Sequence, residues 1–267
     1  ALVRFQEEAL EEEDLDRFED LAREREELQE EVGSGSSVTI PEDYLDPEDQ
    51  EYLEKVHEEI RDAYLRDARI RERLQEMVTI LTEKCYLPEY ECCIDGFLYD
   101  WTPAGPEHGY FGEHNALTSY GHNVEFAWLL QRAARALDLP VEPYRSMGLG
   151  LIEHSRRYGW HKEAGALCYE GPWRGPATNR VIEWWTQAEN AVALDWAYRE
   201  TGDPAILDEL RRQVIWILQK QSDALHGGWH SSLAPDGSIL SDSKAHLWHG
   251  SYHDVRACLN VGNGRWE

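Results

Sequence analysis

The feature that most restricts the fold of this chain is an alternation in how its helical segments are joined. From Ile70 onward, apolar residues recur at helical spacing over residues 70–86, 116–138, 142–159, 181–201, 204–221 and 250–261. Two of the joins are very short, Asp138-Leu139-Pro140 and Thr201-Gly202-Asp203-Pro204. Glycine ends helices and proline is tolerated in a first turn, so each of these joins folds two helices into an αα-hairpin. The other joins, about 87–115, 160–180 and 222–249, are long and carry Gly, Trp and Tyr. Their Asp95-Gly96 and Asp236-Gly237 pairs favour β-hairpin turns. Short joins at one end and long joins at the other gather the long loops on one face, which is where binding residues concentrate. The expected architecture is all-α, a toroid of αα-hairpins or an α-solenoid. Its six to eight helices are about half of a closed twelve-helix ring, so the ring is incomplete.

Upstream of the hairpins the composition changes. Residues 1–37 combine a charged helix, with Leu10, Leu15, Phe18, Leu21 and Leu28 at near-helical spacing, and a Gly33-Ser34-Gly35-Ser36-Ser37 linker. Residues 38–69 form an acidic helical segment, and the partial barrel occupies 70–267. About two thirds of the net charge of −26 lies before residue 70. Such a chain repels phosphate backbones and anionic lipid, which excludes nucleic acid and membrane surfaces as partners. No apolar run reaches the roughly 18 residues of a membrane span, and Ala1 to Leu10 reads as no targeting signal. Five cysteines without a Cys-x-x-Cys pair read as reduced thiols, giving a cytoplasmic expectation. Eleven Trp and thirteen Tyr against five Phe supply aromatic rings with polar edges, suited to stacking on a small polar ligand such as a sugar.

Three clusters could carry chemistry. Tyr120-Gly121-His122-Asn123-Val124-Glu125 opens a helix and sets His122 and Glu125 three residues apart on one face. In Trp184-Trp185-Thr186-Gln187-Ala188-Glu189, Trp185 and Glu189 are four apart; a ring meets the C–H face of a sugar while a carboxylate accepts from its hydroxyls, and Trp184 reads as core. The third cluster holds His246, His249 and His253 at i, i+3, i+7, a zinc-like alignment only if the helix is continuous. Gly250-Ser251 interrupts it, so no metal is expected.

In this order the clusters resemble the N-acylglucosamine 2-epimerase superfamily, most closely its cellobiose 2-epimerase branch. The resemblance rests on Tyr120 to Glu125, on Trp184 to Glu189 with Thr186 where the family has proline, and on Trp248, Tyr252, His253, Arg256 and Ala257, with His249 where lysine is usual. It implies an (α/α)6 barrel and a cofactor-independent isomerase that moves a proton at C2 of a reducing-end sugar through a cis-enediolate. His122 and His253 would be the acid/base pair, a task suited to imidazole near neutral pH. Glu125 would bind hydroxyls or orient His122, and Trp185, Glu189 and Trp248 would shape the sugar subsite. The family also uses an arginine and a third histidine from its first half-barrel. Only His57 lies near that place, with Leu53 where an asparagine is expected, so no role is carried to it. The alternatives are an aldose–ketose isomerase using the same histidines, and a silent shortened paralogue that binds sugar or a protein partner through its acidic N-terminus. Either the chain is a fragment or a shortened paralogue, or a protein partner or second copy of the chain completes the ring.

Overall fold

The computed structural model describes residues 67–263. The helix expected over 1–31, the Gly/Ser linker, almost all of the acidic segment and His57 lie outside them. The chain divides between Leu65 and Arg66 into two units, of which the second carries every element below.

Helix α1 covers residues 67–80 and runs into a π-turn at Leu81–Cys85. A hairpin follows, β1 (Tyr86–Leu87) paired with β2 (Cys92–Cys93), then a 3-10 turn at Pro106–His108 and the short α2 (Tyr110–His114). Beyond β3 (Leu117–Ser119) come the paired helices α3 (Tyr120–Ala136) and α4 (Val141–Tyr158). Strands β4 (Trp160–His161), β5 (Ala166–Leu167), β6 (Glu170–Pro172) and β7 (Ile182–Glu183) lead to the second pair, α5 (Trp184–Thr201) and α6 (Pro204–Trp216), the latter ending in a π-turn at Ile217–Gln221. The hairpin β8 (Ser232–Leu233) and β9 (Ile239–Ser241) precedes α7 (Tyr252–Asn263). None of the described helices is long and apolar enough to cross a membrane.

The two short joins fold as expected. Gly202 takes the left-handed conformation, φ 68°, that ends α5. Asp203 then caps α6 by accepting from the Ala205 N–H at 2.8 Å, with Pro204 in the first turn. Asp138 turns the chain between α3 and α4 at φ 57°, and Pro140 stands immediately before α4.

Helices α3, α5 and α7 form an inner layer, with α4 and α6 packed behind it. The sequence of α5 explains its place at the centre. Its buried residues run all round the circumference, including Ala188, Ala191, Val192, Ala193, Leu194 and Ala197, so it has no solvent face to offer. Its buried amides tie it to its neighbours. The Gln187 amide accepts from the Leu167 N–H and donates to the Leu167 carbonyl, both at 2.9 Å, tying β5 to α5. Gln213 donates to Gln187 at 3.0 Å and accepts from Asn190 at 2.7 Å, tying α6 to α5. All three side chains are essentially inaccessible, and a satisfied buried network of this kind fixes register as well as stability.

The long joins become short strands that pair with one another, β3 with β6, and β8 with β7 on one side and β9 on the other. Two of the inner helices thus each start from their own small sheet, α3 from the β3–β6 pair and α5 from β7–β8–β9. The helix starts also come later than the apolar pattern suggested: at Tyr120, Trp184 and Tyr252 rather than 116, 181 and 250. Asp236-Gly237 does turn the β8–β9 hairpin, with Gly237 at φ 85°. Asp95-Gly96 does not turn a hairpin. The Asn115 side chain bonds both the N–H and the carbonyl of Gly96, at 3.0 and 2.6 Å. The reversal lies instead at Leu98–Thr102, where Trp101 has φ 66° and Asp100 accepts from the Thr102 N–H.

Candidate active site

Ser119, the last residue of β3, caps α3 by accepting from the His122 N–H at 3.3 Å. The cap fixes the first turn of α3, and His122 leaves it exposed, facing the next inner helix. Its ring lies 4.8 Å, centroid to centroid, from that of Trp185 in the first turn of α5. Gly121 permits the approach: a Cβ there would stand 2.5 Å from the Trp185 ring. On α7, the ring of His253 lies 5.8 Å from the same indole. The two histidines, 131 residues apart in sequence, thus border one aromatic ring.

His253 is 7% exposed, and Glu189 sets its orientation. Its Nδ1 lies 2.6 Å from Glu189 Oε1. A carboxylate only accepts, so Nδ1 carries the proton of a neutral ring and Nε2 keeps the lone pair. Glu189, 1% exposed, spends its remaining capacity inside the protein as well. Arg256 donates to Oε1 at 2.6 Å and the Trp128 indole N–H donates to Oε2 at 2.9 Å. Arg256 also donates to Glu125 at 2.7 Å, and its guanidinium lies over the rings of Trp128 and Tyr252 at 4.9 and 5.0 Å. Burial works against the Arg256 charge, but its hydrogen bonds and attraction to Glu189 and Glu125 outweigh burial and raise its pKa. Burial and the two carboxylates likewise raise the Tyr252 phenol, whose ring rests on His253 at 3.8 Å.

A cavity of about 910 Å³ opens beside these groups. His122, Glu125, Tyr169, Glu170, His114 and Arg256 supply its polar wall, and α1 and the outer side of α3 supply an apolar one.

The structure therefore brings together five of the six residues singled out in the sequence: His122, His253, Glu125, Trp185 and Glu189. Glu189 does not reach the cavity as a hydroxyl acceptor, because three protein donors converge on it. Trp248 stands apart, 78% exposed on the loop before α7. Its neighbour His249 faces inward, stacked on the buried Trp184 at 4.0 Å and 2.7 Å from Ser231 Oγ. Burial lowers the His249 pKa. His246 and His249 precede α7, so the three histidines share no helix. Glu125, Glu189 and His253 do have ligand atoms close enough for a metal ion, but the Arg256 guanidinium bonds both carboxylates, and its charge disfavours a cation there. Trp128, Tyr169 and the His114–Glu170 pair emerge only from the structure, as does the part played by Arg256, which the sequence placed in the third motif without a role. Helical spacing offered a signal for two of them, since Trp128 follows Glu125 and Arg256 follows His253 by three residues.

Helices α3 to α6 form two αα-hairpins, and the inner helices α3, α5 and α7 carry the imidazoles and carboxylates of the site. Residues 60–257 match the N-acylglucosamine 2-epimerase (GlcNAc 2-epimerase) family, and the chain belongs to that family. Among its relatives, the cellobiose 2-epimerase of Bacteroides fragilis is 29% identical over 202 residues, 73% of this chain and 48% of that protein. The N-acylglucosamine 2-epimerase of Bos taurus is 29% identical over 157 residues, 57% of this chain and 36% of that one. The solved structure of the cellobiose 2-epimerase from Spirochaeta thermophila superposes with a TM-score of 0.62 at 28% identity, covering 73% of this chain and 46% of that one. A D-mannose isomerase shares the fold, with a TM-score of 0.51 at 15% identity over 74% of this chain and 67% of that one. The chain thus spans about half the length, or less, of the curated relatives it matches.

Proposed function

We propose that this site epimerises a reducing-end aldose at C2, with His122 and His253 as the acid/base pair. The observation that carries the reading is the placement of both imidazoles against the Trp185 indole. The open-chain sugar would present C2 between them. One imidazole takes the C2 proton, the C2–H electron pair moves into the C1–C2 bond, and O1 gains negative charge as an enediolate. The other imidazole returns a proton to the opposite face of C2, inverting it. Glu189 holds His253 in the tautomer whose Nε2 can act as base, and Arg256 is a fixed positive charge lining the cavity. The relatives named for cellobiose and N-acylglucosamine make glucose-configured sugars the first substrates to test. Should the second proton go to C1, the same pair would yield a ketose.

Incubation with glucose, mannose, cellobiose and N-acetylglucosamine in D2O tests this directly. Deuterium should appear at C2, and His253→Asn should slow the exchange by about 10² to 10⁴, the usual worth of one positioned acid/base group. Ketose formation would redirect the assignment to aldose–ketose isomerisation, and absence of exchange with all four sugars would remove both reactions.

A further inference from the structure

Resting on that reading of the site, we infer that Glu170, with His114 beside it, forms a hydroxyl-binding subsite of the cavity that holds the substrate for the acid/base pair. Neither residue belongs to the acid/base machinery, yet both line the cavity that His122, Glu125 and Arg256 share. The backbone of Glu170 is pinned from two directions. In the β3–β6 ladder its Cα partner is Ser119, the cap residue three positions before His122. On its other side Glu170 bridges to Asn179, through Glu170 N–H to Asn179 O at 3.3 Å and Asn179 N–H to Glu170 O at 3.1 Å. A carboxylate so fixed, next to the strand that launches α3, keeps a constant position relative to His122.

The side chain keeps acceptor capacity to offer. Asn179 Nδ2 donates to Glu170 Oε1 at 3.2 Å, which sets the plane of the carboxylate. His114 Nδ1 lies 3.6 Å from Oε2, an ionic contact rather than a hydrogen bond. A carboxylate has about four acceptor sites, so it can accept from a ligand as well as from Asn179. A carboxylate that accepts at both oxygens is matched to vicinal hydroxyls, the recurring unit of a sugar ring. The Tyr169 ring, beside Glu170 in the chain, lies edge-on to Trp185 at 6.3 Å and bridges the subsite to the indole between the two histidines.

A hydroxyl contact made outside the acid/base pair holds reactant and transition state alike, so it acts on KM and leaves kcat almost untouched. The test is C2 deuterium exchange against sugar concentration for the wild-type chain, Glu170→Gln and His114→Gln, with saturation-transfer NMR of glucose and cellobiose on the same samples. The expected result is a rise of about tenfold in KM for Glu170→Gln, the worth of a hydrogen bond to a charged group, with kcat within about twofold. Saturation transfer should weaken in parallel. An unchanged KM in both variants, or a fall in kcat at unchanged KM, would overturn the subsite. Near-UV circular dichroism checks folding, and if Glu170→Gln alone misfolds, His114→Gln carries the same prediction. A wild-type chain that binds glucose without exchanging deuterium would defeat the epimerase reading, while loss of that binding in Glu170→Gln would still support the subsite. A wild-type chain that binds neither sugar would defeat the subsite itself.

Discussion

Glu189 shows how much one side chain decides here. Three donors, His253 Nδ1–H, Arg256 Nη2 and Trp128 Nε1–H, meet on its two oxygens. Glutamine in its place fits the space but supplies one oxygen and one NH2, so a donor must face a donor whichever way the amide turns. Glu189→Gln should therefore free His253 to change tautomer and lower C2 exchange by about 10² or more, as loss of an orienting carboxylate does in other histidine-based sites. A histidine ring resonance that shifts in the variant while the far-UV spectrum stays unchanged would locate the effect at the imidazole. Wild-type exchange rates in Glu189→Gln would show that the carboxylate is merely structural. The sequence made Glu189 visible through its spacing from Trp185, but as a sugar ligand. Its actual partners sit 61, 64 and 67 residues away, and side-chain direction at that range is a tertiary outcome that helical periodicity does not encode.

At the level of elements, the helices were legible and the strands were not. Apolar spacing with Gly and Pro punctuation marks α3 to α7 closely, because the signal is local and repeats over many residues. The strands are two or three residues long, too short for a period of two to register, and β3 finds its partner β6 about fifty residues later. Those short pairings nevertheless set the packing of α3 on α5, where Gly121 meets Trp185. Adding a methyl group in Gly121→Ala places Cβ 2.5 Å from the indole and 2.8 Å from Thr186 Oγ1, with both neighbours in the packed first turn of α5. Relief requires α3 and α5 to separate or Trp185 to leave its place. The expected cost is about 1 to 3 kcal/mol of stability, the usual range for overpacking, together with a tenfold or larger fall in exchange, since about 1 Å of misplacement can cost 10². Thermal melts and C2 exchange measured together check both parts. A fully active, equally stable Gly121→Ala protein would show that the contact between the two helices is loose.

Across the described unit, the titrating groups define how stability depends on pH. Burial pushes the Cys168 thiol up to about 11 and Cys92 and the Tyr86 phenol up to about 12, and it raises Cys85 and Cys93 as well. These acids hold their protons longer when folded than when unfolded. Above the ordinary thiol range the unfolded chain therefore sheds protons that the folded chain keeps, so each group lowers stability as pH rises from about 9 toward its folded value. The phenol adds its share above about 10. Histidines work at the other end. Burial lowers His154 and His249, so protonation of the unfolded chain draws stability down as pH falls below about 6.5. Burial raises the Glu183 carboxyl to about 7, which works against the histidines between about pH 4.5 and 7, so the clear feature is a steep alkaline edge where several buried thiols act in the same window. Melting temperatures measured from pH 7 to 11 should fall progressively above 9, and Cys168→Ala should flatten that slope by the equivalent of one proton. A melting temperature that is level from pH 8 to 11 would mean that the thiols reach solvent in the folded chain, and that the hairpin and core around them open far more readily than their packing implies.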